Sequence, residues 1–449
     1  MVRYRVKKIQ LIFLALLLLF SVFAVMFWMS VKASSRIIYV PSDYAQIQWA
    51  VGNASAGDTI IVDSGIYYEH VIINKSLTLL GENGNTIIDG NGTGHVVTIN
   101  ADSVTICGFT MQKSGPNWGE AGIHLLNSRW CNISYNTLTQ NTHGIWADYY
   151  SNNNLIAGNN IYNNSVGMGI IDSSSNSITN NYINSNTNCG MGLENANDTI
   201  VASNIAKNNE YGVWLRYCTN FTVVGNTLID NWGGIYLHSS DSNTIFHNNL
   251  INNTHQTEII NSASIWANDF EGNYWSNYVG VDADHDGIGD SAYTIDANNT
   301  DNYSLMGTFS DFTIAWEGQL HHVTTICNST ISNFNFNDAY NGSTKAIIFN
   351  VTGENETAGF CRIRIPTVLM DGTFTVYVDG VNTTYTLLPR SNATHSYLYF
   401  IYLHSTKEVI IIPEFSSITI LSVLMVLISI VTALSKRKNL RLPRRRIVS

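Results

Sequence analysis

The 449-residue sequence predicts an all-β protein: a right-handed, single-stranded parallel β-helix of 22–23-residue coils, then a small β-sandwich, with hydrophobic helices at the N- and C-termini. Three observations predict it. Gly122, Gly144, Gly167, Gly190, Gly212 and Gly234 recur every 22 or 23 residues, and a period of that length marks a solenoid. Asn136, Asn159, Asn181, Asn204, Asn226 and Asn248 follow in step. Within each unit apolar residues stand two apart, as in Gly212-Val213-Trp214-Leu215-Arg216 and Gly234-Ile235-Tyr236-Leu237-His238, which is strand periodicity and not helix periodicity. The units lack a leucine-rich consensus and the Ala, Leu and Glu content of helical repeats, so a parallel β-helix remains.

In such a coil the alternating apolar residues fill the interior. The recurring Asn stacks amide on amide with its neighbours one strand spacing away, which pairs polar groups that burial would otherwise leave unpaired. The recurring Gly is read as the residue that permits a left-handed or bulged corner.

Residues 36–95 form the cap and first coils. Pro41, Tyr44, Ile47, Gln48 and Ala50 predict a short amphipathic helix, and Gly57–Val62 and Leu77–Gly81 predict the first strands. A lid is physically needed there, because the first coil otherwise exposes its core and strand edges. The repeats proper span 96–265 and a closing segment 266–310. From Phe312 the glycine period stops. Alternating runs such as Thr373–Val378 and Ser396–Ile401, with turn signals at Asp371-Gly372 and Asp379-Gly380, place a β-sandwich at 311–412. Its expected role is spacing or presentation near the membrane.

The net charge is −10 and only 12% of residues are charged, which argues against a nucleic-acid partner. The charge is unevenly placed. Arg3, Arg5, Lys7 and Lys8 precede an apolar run from Leu11 to Met29, long enough to cross a bilayer. Residues 1–33 are therefore a signal peptide or an N-terminal anchor, with Ala33-Ser34-Ser35 available for cleavage. Residues 413–435 hold Pro413-Glu414-Phe415 and an apolar run from Ile418 to Leu434; the 436–449 tail carries Lys436, Arg437, Lys438, Arg441, Arg444, Arg445 and Arg446. The positive-inside rule keeps both basic clusters in the cytoplasm and places Ser34 to Ile412 on the extracellular face of the cell membrane, anchored by the C-terminal helix. The order of short motif, span and basic cluster resembles the Pro-Glu-Phe type of archaeal sorting tail, which implies a sorting enzyme that removes the span.

An outside location agrees with about sixteen Asn-x-Ser/Thr sequons, among them Asn53, Asn132, Asn220, Asn328, Asn350 and Asn392. Cys327 and Cys361 are the only two cysteines of the C-terminal domain and are expected to form one disulfide, while Cys107, Cys131, Cys189 and Cys218 share no repeat position and are either buried free thiols or paired.

The stretch with Tyr44, Ile47-Gln48, Ala56-Gly57-Asp58-Thr59-Ile60, Gly65-Ile66-Tyr67 and Glu69 is followed by Ile87-Ile88-Asp89-Gly90 and Val104–Thr110. It resembles the NosD-like family of extracytoplasmic β-helix proteins over roughly residues 36 to 310. The resemblance implies the β-helix fold, and its family descriptions imply periplasmic copper binding or carbohydrate binding and sugar hydrolysis. Fold alone does not fix function. Copper outside the cell favours converging His, with Met or Cys for the reduced ion. His238 and His247 lie on different faces, Met168 and Met191 point inward and His321-His322 lie in the other domain, so copper is not expected.

The resemblance extends to Gly272-Asn273-Tyr274-Trp275-Ser276 and to Asp282-Ala283-Asp284-His285-Asp286-Gly287-Ile288-Gly289-Asp290, which looks like the closing segment of archaeal members. Carboxylates two apart in a tight loop suit a hard, oxygen-seeking cation. Calcium is expected, with Asp282, Asp284, Asp286, Asp290 and the Ile288 carbonyl as ligands. Tyr293 stands where an EF-hand places its bidentate Glu, so the loop is closer to the thrombospondin or dockerin kind; a plain solvated Asp/Gly turn is the alternative.

Chemistry is expected on an outward strand face, where residues at one repeat offset stack about 4.8 Å apart. Two places after each glycine stand His124, Trp146, Gly169, Gly192, Trp214 and Tyr236; four places after stand Leu126, Asp148, Ile171, Glu194, Arg216 and His238. Aromatic rings can stack on sugar rings while ionisable groups bond to hydroxyls, so His124, Trp146, Trp214, Tyr236 and His238 are the carbohydrate-binding candidates. Catalysis would use two carboxyls about 5 to 9.5 Å apart; Asp148 and Glu194, two coils apart, are the candidates, with Arg216 available to an acidic sugar. Against it, Ile171 lies between the two acids and Asp172 falls one place off.

The reading is therefore a surface-anchored β-helix that binds polysaccharide or surface glycan without turnover. The alternatives are a glycan-cleaving lyase or hydrolase, a structural surface-layer or adhesion protein and, weakest, a copper-handling protein.

Overall fold

Each coil of the chain contributes one strand to each of three parallel sheets in the computed structural model, which describes residues 35–82, 84–342 and 344–414. The first sheet has ten strands, from Ile37–Val40 to Thr244–Phe246. The second also has ten, from Gly65–Tyr67 to Tyr274–Trp275, and the third has nine, from Val71–Ile73 to His255–Ile260. Ile133, Ile156, Ile178, Val201, Val223 and Ile245 occupy one register position of the first sheet and are all fully buried. The interior is thus a set of aliphatic stacks running along the axis. The hydrophobic helices expected around Leu11–Met29 and Ile418–Leu434 lie outside the described residues. Among the described residues no helix is long and apolar enough to cross a membrane.

The asparagine series is a continuous ladder. Each Oδ1 accepts from the backbone N–H of the preceding member and also, at 2.9 to 3.2 Å, from its Nδ2, from Asn136 through Asn248. The ladder continues to Asn273, whose backbone N–H donates to the buried carboxylate of Asp301. Burial pushes the Asp301 carboxyl up, against the backbone and Trp275 hydrogen bonds that favour its charge. A second ladder, Asn141, Asn164, Asn186, Asn209, Asn231 and Asn253, runs beside the first with the same geometry.

The repeat glycines do not serve as left-handed corners. None of the six has positive φ. A Cβ on Gly167 would stand 2.4 Å from the Gly190 carbonyl oxygen and 3.1 Å from Asn186 Nδ2; one on Gly144 would stand 2.5 Å from the Gly167 carbonyl. Glycine is needed for space between the stacked backbones and the second ladder. The corners that follow the third-sheet strands are held by Tyr149, Asp172, Asn195, Tyr217 and Ser239, with φ from 49 to 54°.

The N-terminal lid is the helix Ile47–Asn53, which buries Ile47, Ala50 and Val51. Its first free N–H groups, those of Ile47 and Gln48, donate to the Glu69 carboxylate at 3.0 and 2.9 Å, which suits the positive end of a helix.

After the helix come two five-stranded antiparallel sheets that share one core: Val323, Ile363 and Phe400 from one sheet meet Phe349, Val376 and Ile411 from the other. Cys327 and Cys361 are directly opposed across two strands of this region. All six cysteines are free thiols, and burial pushes those of Cys131 and Cys218 up to about 11 and that of Cys189 to about 12.

The two parts meet at Glu271. Its carboxylate accepts from His247 at 2.8 Å, from the buried Arg362 and from Arg390 at 3.5 Å. Burial raises this carboxyl, but the His247 hydrogen bond and the Arg362 charge outweigh it and hold the pKa at about 2. Asn249 adds a two-way bond with the Phe309 backbone, at 2.8 and 2.9 Å.

Candidate functional site

The third sheet presents the expected columns in register. His124, Trp146, Gly169, Gly192, Trp214 and Tyr236 are successive partners, continued by Glu258. Glu194, Arg216 and His238 follow one another in the second column. Two adjacent glycines in a column otherwise filled by large side chains leave a depression, and a cleft of about 350 Å³ lies there. Trp118, His143, Trp146, Glu194, Glu210, Tyr211 and Trp214 line it around the glycine floor.

The tryptophans lean over that floor. A Cβ on Gly169 would meet the Trp146 ring at 2.6 Å, and one on Gly192 would meet the Trp214 ring at 3.4 Å. Trp146 is only 8% exposed. Its Nε1 donates to Asp148 Oδ2 at 2.9 Å, and Trp118 stands edge-on to its ring at 6.2 Å. Trp118, 68% exposed, is the ring that this end of the cleft offers to solvent. It escaped the repeat reading because it lies in the segment before the strand Ala121–Leu126, outside the strand register. At the other end Trp214 stacks on Tyr236, with centroids 5.9 Å apart and planes 16° apart.

Two of the expected contacts are placed otherwise. His124 is 7% exposed, stacked on His95 at 4.2 Å and bonded through Nε2 to Asp148 Oδ1 at 3.0 Å. Strand alternation turns it outward, but the imidazole of the preceding coil covers it. Asp148 uses one oxygen on His124 and the other on Trp146, so it positions rings beside the cleft and does not line it.

Glu194 lines the cleft and accepts from Arg216 Nη1 at 3.2 Å. The two carboxylates proposed as a catalytic pair are thus held in separate clusters. Arg216, expected to meet an acidic sugar, is committed to Glu194 and lies over the Tyr217 ring at 4.9 Å. The bond with Tyr217 and the Glu194 charge keep its guanidinium above its ordinary range. Tyr236 and His238 approach each other at 3.5 Å on the flank.

The remaining lining groups were not legible as a site. Tyr211 donates to Glu258 at 3.1 Å, and burial together with that carboxylate pushes its phenol up. His143 is fully buried and neither ring nitrogen has a partner among the described residues; burial lowers its pKa to about 4. It is neutral at physiological pH. The arrangement offers aromatic surface beside carboxylate oxygens, which suits a saturated-ring ligand bearing hydroxyl donors.

In the closing segment, Asp282, Asp284 and Asp286 each bring a carboxylate oxygen within 4.8 Å of the others, and among the described residues this is the one group of three or more acid, His or Cys ligands so placed. The loop is also internally bonded. Asp282 accepts from the N–H groups of Asp286 and Gly287 at 2.9 Å each, and Asp290 from that of Ala283 at 2.8 Å. Asp290 is not in the converging set of carboxylates. Burial raises the Asp282 carboxyl, and the nearby Asp286 charge adds to it. Three oxygens in this spacing fit a hard cation that takes further ligands from water. Met168 and Met191, weighed for copper, lie fully buried in the helix interior.

Residues 121–275, which include the recurring glycines from Gly122 to Gly234, match the family described as the right handed beta helix region. A cell surface glycoprotein of Methanothermus fervidus is 36% identical over 110 residues, which are 24% of this chain and 17% of that protein. The match thus spans less than a fifth of that relative's length. Among solved structures, a pectate lyase aligns over 56% of this chain and 83% of its own at 12% identity, with a TM-score of 0.40. The A-module of a mannuronan C-5 epimerase of Azotobacter vinelandii aligns over 49% and 74% at 14% identity, also at 0.40.

Proposed function

We propose that this chain is a surface-anchored β-helix protein that holds polysaccharide or cell-surface glycan in the cleft between Trp118 and Trp214, without cleaving it. The observation that carries the reading is the cleft itself: two glycine rows are kept empty between tryptophan rows on an otherwise side-chain-covered sheet. Binding without turnover is favoured because Asp148 and Glu194 are each engaged in ion pairs or hydrogen bonds with neighbouring side chains. Anchoring rests on the apolar and basic runs of the sequence, and an outside location also on the partial match to a protein named as a cell surface glycoprotein. A sorting enzyme acting at Pro413-Glu414-Phe415 belongs to the same proposal.

Replacing an interfacial aromatic anchor typically costs more than 1 kcal/mol, so Trp118→Ala and Trp214→Ala are each expected to weaken retention on immobilised glycan by about 10-fold. Retention unchanged in the double variant would remove this face from consideration.

Calcium at Asp282, Asp284 and Asp286 is the accompanying proposal, supported by their convergence. A cation that binds only the folded chain stabilises it by about 2.7 kcal/mol at 100 times its Kd. Calcium is therefore expected to raise the unfolding temperature of the full chain, and Asp284→Asn is expected to abolish that rise. Equal unfolding temperatures with calcium and with chelator would reject it.

A further inference from the structure

The cleft is lined by charge of one sign. Glu194 and Glu210 contribute carboxylates, His143 is neutral, and among the described residues no Lys or Arg lines the space. The neighbouring cation, Arg216, already donates to Glu194. Next along the face, Glu258 is held by Tyr211 and adds a third carboxylate to that end. A ligand carrying its own carboxylates would bring like charges together in a partly desolvated slot, where the one adjacent guanidinium is already paired with Glu194. Hydroxyl groups, by contrast, donate well to carboxylate oxygens, and the indole surfaces accept the apolar faces of pyranose rings. From the Trp146 row to the Trp214 row the sheet advances three strand spacings, or ~14 Å, room for a few sugar units.

We infer that the cleft selects an uncharged, hydroxyl-rich glycan segment and rejects a uronate-containing one. The inference rests on the glycan-binding reading given above and adds the class of sugar to it.

The experiment uses the full 449-residue chain, kept in a detergent without a sugar headgroup. Binding of neutral gluco- and manno-oligosaccharides is compared with that of oligogalacturonates and oligomannuronates at low and high salt. The expected result is a preference of at least about 10-fold for the neutral set, shrinking as salt screens the repulsion. The double variant Glu194→Gln/Glu210→Gln, checked for an unchanged unfolding temperature, is expected to bring the ratio of the two affinities toward unity by improving uronate binding. Uronates bound as well as or better than neutral sugars, with binding lost in Trp214→Ala, would overturn the selectivity while leaving the cleft a glycan site. Binding of neither set would overturn the glycan reading itself, and the selectivity with it.

Discussion

Asn204→Ala is expected to destabilise the β-helix by about 3–5 kcal/mol, because each buried polar group left without a partner costs about 1–3 kcal/mol. Asn204 is fully buried. Its Oδ1 accepts from the N–H and the Nδ2 of Asn181, both at 2.9 Å, and its Nδ2 donates to the Ile178 carbonyl at 2.8 Å and to Asn226 Oδ1 at 3.0 Å. Alanine removes all four bonds and leaves the Asn181 N–H and the Ile178 carbonyl facing an apolar gap. Hydrogen exchange at Asn181 should accelerate by several powers of ten, since each 1.4 kcal/mol is tenfold. Asn160→Ala is the control. Asn160 is exposed on the strand Asn160–Tyr162 and lies outside the left-handed region, and its change is expected to stay within about 0.5 kcal/mol. Similar exchange in both variants would show that the ladder is not what holds the coils.

The second large effect lies at the junction. Glu271→Ala leaves Arg362, whose side chain is 3% exposed, as an uncompensated buried charge. Breaking a buried ion pair from one side costs about 3–5 kcal/mol. The same residue sets a pH dependence. Its folded pKa, about 2, lies below the ordinary 4.5, so its stabilisation is complete above the ordinary value and is lost as pH falls toward the folded one. That shift corresponds to ~3 kcal/mol. Denaturant unfolding between pH 6 and pH 2, read from probes on each side of the junction, should show a smaller acid loss in Glu271→Ala than in the natural chain, the remainder coming from other carboxyls held below their ordinary range, such as Asp58 and Asp89. The exposed pair of Lys407 and Asp379 at 3.3 Å, by contrast, is expected to contribute less than about 1 kcal/mol. An acid sensitivity of the same size in Glu271→Ala as in the natural chain would show that Glu271 does not set it.

The coil period was legible because every coil spends nearly the same number of residues, so Gly, Asn and the apolar pairs fall in phase without reference to distant contacts. The role of the glycines was not. A sequence shows that a side chain is absent, but not whether backbone angle or space requires it, and at Gly144 and Gly167 the next coil's carbonyl decides it. The second ladder, from Asn141 to Asn253, was hidden among the many other asparagines. Alternation placed Trp146 and His124 on the outer face correctly, yet alternation carries no information about what covers that face; Trp118 and His95 do so from segments outside the strand's own pattern. Glu271 and Arg362 are 91 residues apart, and no periodicity connects them. The cleft was half legible: the glycine gap at Gly169 and Gly192 lies in the repeat column, while Glu210 and Trp118 enter from the coil corners.

The most direct test of binding without turnover is a titration of the full chain with soluble oligosaccharides, following tryptophan fluorescence and new reducing ends or unsaturated uronate absorbance in the same samples. A saturable fluorescence change lost in Trp118→Ala/Trp214→Ala, with no product over time, is the predicted result. Product that accumulates, and that disappears in Asp148→Asn or Glu194→Gln, would contradict it and make the chain an enzyme.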